Sequence, residues 1–122
     1  MTHLYMLRFD GVYCGPTENG VRKIFRFYPD ETVIEATTAA GLSEIVPWLR
    51  KELFTESQHS IGRYRRCGPD IFVAATNAPG YGTIEYTGML VSPDEIRIES
   101  RSLINGNQAR YTVHFVPLGL EG

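Results

Sequence analysis

The stretch Ile84–Arg101, IEYTGMLVSPDEIRIESR, decides the fold class of this chain. On both sides of Pro93-Asp94 the side chains alternate, and the mostly apolar phase contains Ile84, Tyr86, Leu90, Ile96 and Ile98. Alternation with a period of two is typical of strands that have one buried and one solvated face. Proline presets the φ angle of a turn and aspartate bonds to nearby backbone. The stretch therefore predicts a β-hairpin.

The same pattern recurs along the chain. Two more Pro-Asp pairs, Pro29-Asp30 and Pro69-Asp70, separate strand-like runs, and Asn105-Gly106 is a fourth turn signal. The remaining strands are predicted over residues 7–13, 21–28, 32–38, 61–67, 71–76 and 109–115, which gives eight strands in all. Glu31 stands where many such hairpins have glycine, and we expect its backbone to be left-handed at a cost of about 1 kcal/mol.

Eight short strands joined by tight turns must either stack as two sheets or close into a ring. An open sheet leaves two edges exposed to other chains, and up-and-down connectivity removes both by pairing the first strand with the last. We therefore predict a mostly-β fold, an eight-stranded antiparallel up-and-down barrel that spans residues 1–122 as one domain. A sandwich or a half-open roll is the alternative.

One helical segment is predicted between the third and fourth strands. Its apolar stripe consists of Leu42, Ile45, Val46, Leu49 and Leu53. We expect Pro47 to be the first helical position, because proline is tolerated there, and the helix to cover one end of the barrel. Trp48 lies off the stripe and either packs on a sheet end or is exposed.

The composition limits the classes of partner that the chain is expected to have. The net charge is −2 and the charges are spread along the chain, so no basic field attracts nucleic acid. No apolar run approaches the length of a membrane span, and residues 1–8 do not resemble a secretory signal. Cys14 and Cys67 are expected to be reduced, which suits a cytoplasmic location.

No pattern in the sequence indicates a metal, a cofactor or a catalytic group. His3, His59 and His114 are far apart and lack acidic or cysteine partners at ligand spacing. There is no phosphate-binding glycine loop followed by a helix, and no serine stands in a nucleophile elbow. We therefore expect a binding protein rather than an enzyme, with no metal and no cofactor.

Tyrosines supply the candidate site. Tyr86 and Tyr111 fall on the apolar phase of their strands, and Tyr64 and Arg66 share that phase on theirs. In one interpretation these four residues anchor the polar head of an apolar ligand inside the barrel. In the other, the barrel has a solid core in which the tyrosines bond to one another or to buried water, and Arg66 lies at the rim.

Two short motifs carry a family resemblance. Gly11-Val12-Tyr13 resembles the Gly-x-Trp that opens the first strand of lipocalins, with tyrosine in place of tryptophan. Residues 25–33, FRFYPDETV, are similar to hairpins of small bacterial barrels of that type. The chain thus resembles the lipocalin-like (calycin) β-barrels, and the resemblance implies a cavity for a small apolar molecule.

Two functions follow as hypotheses. The first is a non-enzymatic binding protein for a small hydrophobic or amphipathic ligand. The second is a protein-interaction module, either an inhibitor or immunity-type partner or an obligate homodimer, with a filled core and an exposed apolar patch near Trp48, Phe54 and Tyr81.

Overall fold

The computed structural model describes residues 6–50, 60–68, 70–78 and 82–119, and these form a closed barrel of eight antiparallel strands. The strands are β1 Gly11–Cys14, β2 Arg22–Phe27, β3 Thr32–Thr38, β4 Ser60–Arg66, β5 Ile71–Ala78, β6 Gly82–Ser92, β7 Glu95–Ser102 and β8 Gln108–Pro117. Each strand pairs with the next along the chain, and β1 pairs with β8 to close the ring. The predicted up-and-down barrel is confirmed.

The turn between β2 and β3 has the expected left-handed residue. Glu31 has a φ angle of 71°. The Tyr28 amide donates to the Thr32 carbonyl at 2.9 Å, and the Thr32 amide donates to Asp30 Oδ1 at 3.1 Å. Asp30 therefore holds the turn through its side chain, as turn aspartates commonly do.

Alternate side chains of each strand point into the barrel and form its main core. The buried members of this core are Tyr13, Phe25, Phe27, Val33, Phe72, Ala74, Tyr86, Leu90, Ile96, Ile98, Val113 and Phe115. Tyr64, Ile84 and Tyr111 are partly buried against it. The strand phases predicted from the sequence are confirmed for Tyr64, Tyr86, Tyr111 and Phe115, which all lie on this inner face.

The helical segment is short and starts earlier than expected. It consists of helix α1, Leu42–Ile45, and a 3-10 turn over Val46–Trp48. Pro47 falls in the 3-10 turn, so the prediction that the helix begins at Pro47 is wrong. Leu53, the last residue of the predicted stripe, lies outside the described residues.

This segment packs against the outer surface of the barrel wall, which differs from the position over one end that we expected. Ile45 and Leu49 form a second core with the outward-facing Val12, Ile24 and Ile34. The physical reason is that β2 and β3 carry apolar side chains on both faces, so their outer face also has to be buried.

Two buried polar side chains fasten the end of the helical segment. Arg26 Nη1 and the Tyr28 hydroxyl both donate to the Leu49 carbonyl, at 2.9 and 2.8 Å. The Arg26 guanidinium also lies 4.6 Å from the centre of the Tyr28 ring, within cation–π range. The orphan carbonyl at the end of the segment thus gains a charge-assisted hydrogen bond.

The N-terminal segment covers one end of the barrel, which we call the N-terminal end. Leu7 and Phe9 pack against the main core. Arg8 lies 4.0 Å from the centre of the Phe115 ring and forms an ion pair with Asp94 at 2.9 Å. At the other end the strands meet the loop 15–21 and the turn 103–107.

Within the described ranges, no helix has both the length and the apolar character needed to cross a membrane.

Candidate functional site

The interior of the barrel is divided along its axis into two parts. Toward the N-terminal end lie five rings that we call the aromatic half: Tyr13, Phe27, Tyr64, Phe72 and Phe115. Their centroids are 5.0 to 6.3 Å apart in edge-to-face pairs, for example 5.0 Å for Tyr13–Phe115 and 5.3 Å for Phe27–Phe72. This is the arrangement that aromatic quadrupoles favour. The aromatic half is therefore filled by side chains.

Toward the other end the interior becomes polar. We call this group the polar cluster; it consists of Glu35, Thr37, Thr76, Tyr86 and Tyr111. Register places Glu35 inside the barrel because its partner on β2 is Phe25, which faces the core. Exposure is only 4% for Glu35, 1% for Thr76 and 3% for Tyr86, which shows that these polar groups are buried.

Glu35 brings a carboxylate into the barrel. Thr37 Oγ1 donates to Glu35 Oε1 at 2.8 Å. Burying a carboxylate is costly unless hydrogen bonds or opposite charge stabilise it, so Thr37 belongs to its support. Sequence reasoning missed Glu35. The signal was the Pro29-Asp30 hairpin, whose register places Glu35 opposite the inward-facing Phe25.

Three hydroxyl groups of the polar cluster are buried without a hydrogen bond. Among the described residues, Thr76 Oγ1, Tyr86 Oη and Tyr111 Oη have no hydrogen-bond partner. A buried polar group left unsatisfied costs roughly 1–3 kcal/mol. Native proteins contain few such groups, and three in one place point to a missing partner.

The electrostatics of the cluster keep both phenols protonated. Burial raises the pKa of Tyr86, and the nearby negative charge of Glu35 raises it further. Burial also raises the pKa of Tyr111, with smaller contributions from Tyr86 and Glu35. The Thr76 hydroxyl lowers the pKa of Tyr86, and the Ser100 hydroxyl lowers the pKa of Tyr111, but burial outweighs both effects. Neither contact has the geometry of a hydrogen bond, so both phenol oxygens remain without a partner.

Aromatic rings and a lysine border the cluster. The Phe25 ring contacts Tyr86 edge to face at 5.2 Å and stacks with Tyr111 at 6.4 Å. Lys23 Nζ lies 5.7 Å from the centre of the Tyr111 ring. An open cleft of about 260 Å³ is lined in part by Lys23, Thr37 and Tyr111, so it borders two members of the polar cluster.

The structure brings together two of the four predicted site residues. Tyr86 and Tyr111 both belong to the polar cluster. Tyr64 lies in the aromatic half, where its hydroxyl donates to the Tyr28 carbonyl at 2.5 Å. Burial and the charge of Asp30 raise the pKa of Tyr64 to about 12.

Arg66, the fourth predicted site residue, is exposed at the N-terminal end. Its Nη1 lies 3.7 Å from Met6 Sδ, which is a contact with the segment that covers this end. Neither Tyr64 nor Arg66 therefore lies beside the polar cluster.

A second cleft, of about 350 Å³, is lined by four charged residues, Glu85, Glu99, Arg101 and Arg110, together with polar and apolar ones. Glu85 lies opposite Arg101 on the neighbouring strand, and Arg110 Nε contacts Glu99 Oε1 at 3.0 Å. Such cross-strand pairs are typical of a solvated sheet face. In the part of the chain that the structure describes, no group of three or more histidine, cysteine or acidic residues could hold a metal ion.

Comparisons of the chain with protein-family models, with curated proteins and with solved structures found no match. The structure itself defines the class of fold, a closed eight-stranded antiparallel barrel with up-and-down connectivity. This architecture is consistent with the lipocalin-like fold that the sequence resembles.

Proposed function

We propose that the protein binds a small amphipathic molecule in the polar cluster at one end of the barrel interior. The observation that carries the proposal is the set of three buried hydroxyls, those of Thr76, Tyr86 and Tyr111, that lack a hydrogen-bond partner among the described residues. A ligand that bonds to them would recover the free energy that their burial costs.

The rest of the interior limits the size of the ligand. The rings of the aromatic half are packed edge to face and leave the ligand only the polar end. The cleft that borders Thr37 and Tyr111, about 260 Å³, is smaller than the roughly 300–1,000 Å³ of pockets for drug-sized molecules. We therefore propose a ligand with few heavy atoms, whose apolar part contacts Phe25 and Ile84.

The chain is, on this proposal, a binding protein of the lipocalin-like group. Support comes from the closed up-and-down barrel and from Gly11 and Tyr13 at the start of β1, where lipocalins have Gly-x-Trp. Tyr13 is fully buried in the aromatic half, and its hydroxyl accepts a hydrogen bond from the Arg8 amide at 2.9 Å.

The proposal is tested with three probes of equal chain length, n-hexylamine, n-hexanol and hexanoate, titrated into ¹⁵N-labelled protein purified without detergent. We expect at least one probe to give saturable amide shifts in β3, β5, β6 and β8 near the polar cluster. Tyr86→Phe should weaken that binding, whereas Tyr64→Phe, which removes a partly buried phenol oxygen from the aromatic half, should not. Absence of saturable shifts for all three probes, with a native mass equal to that of the polypeptide, would contradict the proposal.

A homodimer is the second candidate, and the exposure of Trp48 favours it. The Trp48 side chain is 57% exposed, on a helical segment that packs on the outside of the barrel. Tryptophan is enriched at protein interfaces, where it supplies a large apolar area. Light scattering tests this role: a dimer that Trp48→Ala converts to a monomer supports it, and a wild-type monomer contradicts it. Phe54 and Tyr81, the other predicted patch residues, lie outside the described residues.

A further inference from the structure

We infer that the polar cluster selects a ligand whose polar group is an uncharged carbonyl, as in a ketone or an ester, and that the hydroxyls of Tyr86 and Tyr111 donate hydrogen bonds to its oxygen. This inference rests on the proposed binding function and adds the chemical class of the ligand. It is carried by the donors that the cluster offers, by the cost of burying a charge beside them and by the position of Thr76.

The donors come first. The Tyr86 side chain is 3% exposed, the Tyr111 oxygen is also buried, and neither hydroxyl has a hydrogen-bond partner among the described residues. Each phenol brings one O–H donor. Burial raises the pKa of both phenols, so both keep this proton at physiological pH. A carbonyl oxygen has two lone pairs and therefore matches two phenol donors.

The chemistry of a phenol favours an acceptor as its partner. A phenol oxygen shares a lone pair with its ring, which makes the group a better donor and a poorer acceptor than an aliphatic hydroxyl. The oxygen of a ligand alcohol also accepts hydrogen bonds, but the alcohol's own O–H then needs an acceptor inside the barrel. A ketone or ester carbonyl has no hydrogen to place, so it satisfies the phenols without adding an unmet donor.

A charged ligand group is disfavoured beside these hydroxyls. Burying a charge costs free energy unless an opposite charge or hydrogen bonds compensate for it, and the three unmet hydroxyls are neutral. Glu35 is engaged within the protein, because it accepts a hydrogen bond from Thr37 at 2.8 Å and has a further interaction partner. We therefore expect an uncharged carbonyl to bind more tightly than an ammonium or a carboxylate.

Thr76 and two apolar side chains orient the ligand. Thr76 pairs with Ile84 on the next strand, two residues from Tyr86, and its buried hydroxyl is the third unmet group among the described residues. The Phe25 ring contacts both phenol rings, at centroid distances of 5.2 and 6.4 Å, so the two phenols belong to one site. The carbonyl therefore faces the hydroxyls, and its alkyl groups lie against Phe25 and Ile84.

The experiment adds 2-hexanone to the three six-carbon probes and compares all four on the wild-type protein. We expect 2-hexanone to bind about tenfold more tightly than hexylamine or hexanoate, and a few-fold more tightly than n-hexanol, whose oxygen also accepts. If any of the other three probes binds as tightly as 2-hexanone, the inference is overturned while the proposed binding function stands. If none of the four binds, the proposed function itself fails.

Carbonyl-labelled 2-hexanone reports the hydrogen bonds directly. Because hydrogen bonds move the ¹³C resonance of a ketone carbonyl downfield, the resonance of the bound ketone should move upfield in Tyr86→Phe and in Tyr111→Phe, each of which removes one donor. Each variant should also weaken binding about tenfold. Tyr64→Phe is the matched control, since the Tyr64 hydroxyl bonds to the Tyr28 carbonyl, and it should change neither quantity. An equal carbonyl resonance in the wild type and both polar-cluster variants would overturn the inference.

Lys23→Met tests whether the charge at the border of the site takes part. Lys23 Nζ lies 5.7 Å from the centre of the Tyr111 ring and lines the cleft beside it. If the phenols are the donors, Lys23→Met should leave the affinity for 2-hexanone within about twofold of the wild type. A loss of about tenfold or more would overturn the inference, because it would show that the ligand binds through a cation.

Discussion

The two halves of the barrel interior are built by the same strands, yet their tyrosine hydroxyls differ in hydrogen bonding. In the aromatic half the Tyr64 hydroxyl donates to the Tyr28 carbonyl, and the Tyr13 hydroxyl accepts from the Arg8 amide. In the polar cluster the hydroxyls of Tyr86 and Tyr111 have no partner among the described residues. The comparison shows that the tyrosine hydroxyls of the aromatic half are hydrogen-bonded, whereas those of the polar cluster retain unmet bonding capacity, which is the observation behind the proposed binding function.

The largest effect we expect is loss of stability in alkali. The folded-state pKa values of Tyr13, Tyr64, Tyr86 and Tyr111 are all raised above 10, chiefly by burial. The folded state then holds more protons than the unfolded state above pH 10, so the free energy of unfolding falls as pH rises. The contribution of Tyr64 is complete below pH 10 and is lost as pH rises toward its folded value of about 12.

This prediction is checked by urea denaturation at several pH values, with tyrosinate absorbance recorded on the folded protein. Tyr64 should ionise at lower pH than Tyr86 and Tyr111, which Glu35 also disfavours as anions. A stability that stays constant well above pH 10 would show that the tyrosines are not buried as described.

The next largest effect concerns the packing of the aromatic half. Phe72 is 1% exposed and its ring lies directly over Gly88, where an added Cβ would overlap it. Phe72→Ala should lower the free energy of unfolding by about 3–5 kcal/mol, the usual cost of truncating a buried phenylalanine. Urea denaturation measures this loss, and a loss below about 1 kcal/mol would mean that the aromatic half is loosely packed.

A smaller loss is expected when the bonded tyrosine loses its hydroxyl. Tyr64→Phe removes the hydrogen bond to the Tyr28 carbonyl and should lower the free energy of unfolding by about 1 kcal/mol. The Tyr28 carbonyl keeps its place in the turn, so the barrel should stay folded. An increase in stability would contradict the contrast drawn between the two halves.

The smallest effect is expected at the turn that joins β2 to β3, outside both halves. Glu31 has a φ angle of 71°, and a left-handed residue with a Cβ costs about 1 kcal/mol. Glu31→Gly should therefore raise the thermal midpoint by a few degrees. Asn19→Gly is the control: Asn19 is also left-handed, with φ 53°, but asparagine tolerates that region, so its midpoint should change less.

Much of the fold was predictable because the decisive signals are local. Period-two alternation fixes which side chains of a strand share a face, and the Pro-Asp pairs fix where strands turn. For this reason the inward phase of Tyr86 and Tyr111 was predicted correctly. The position of the helical segment was not, because outward apolar residues such as Ile24 and Ile34 need a cover that only the tertiary structure identifies.

The candidate site was predictable only in part. The period-two phase of a strand shows whether a side chain points inward. The position of that side chain along the barrel axis depends on the stagger of the strands around the ring. Tyr64 and Tyr86 share the inward phase, and the stagger separates them into the aromatic half and the polar cluster. Glu35 was missed because β3 is apolar on both faces, so its alternation does not show which face is the inner one.

The most direct test of the central claim is the free energy of unfolding of Tyr86→Phe, measured with and without 2-hexanone. Without ligand the variant should be about 1 kcal/mol more stable than the wild type, because it no longer buries an unsatisfied hydroxyl. With 2-hexanone it should gain less stability than the wild type does. A variant that is less stable without ligand, and that gains as much from 2-hexanone, would contradict the claim that the ligand completes this end of the barrel.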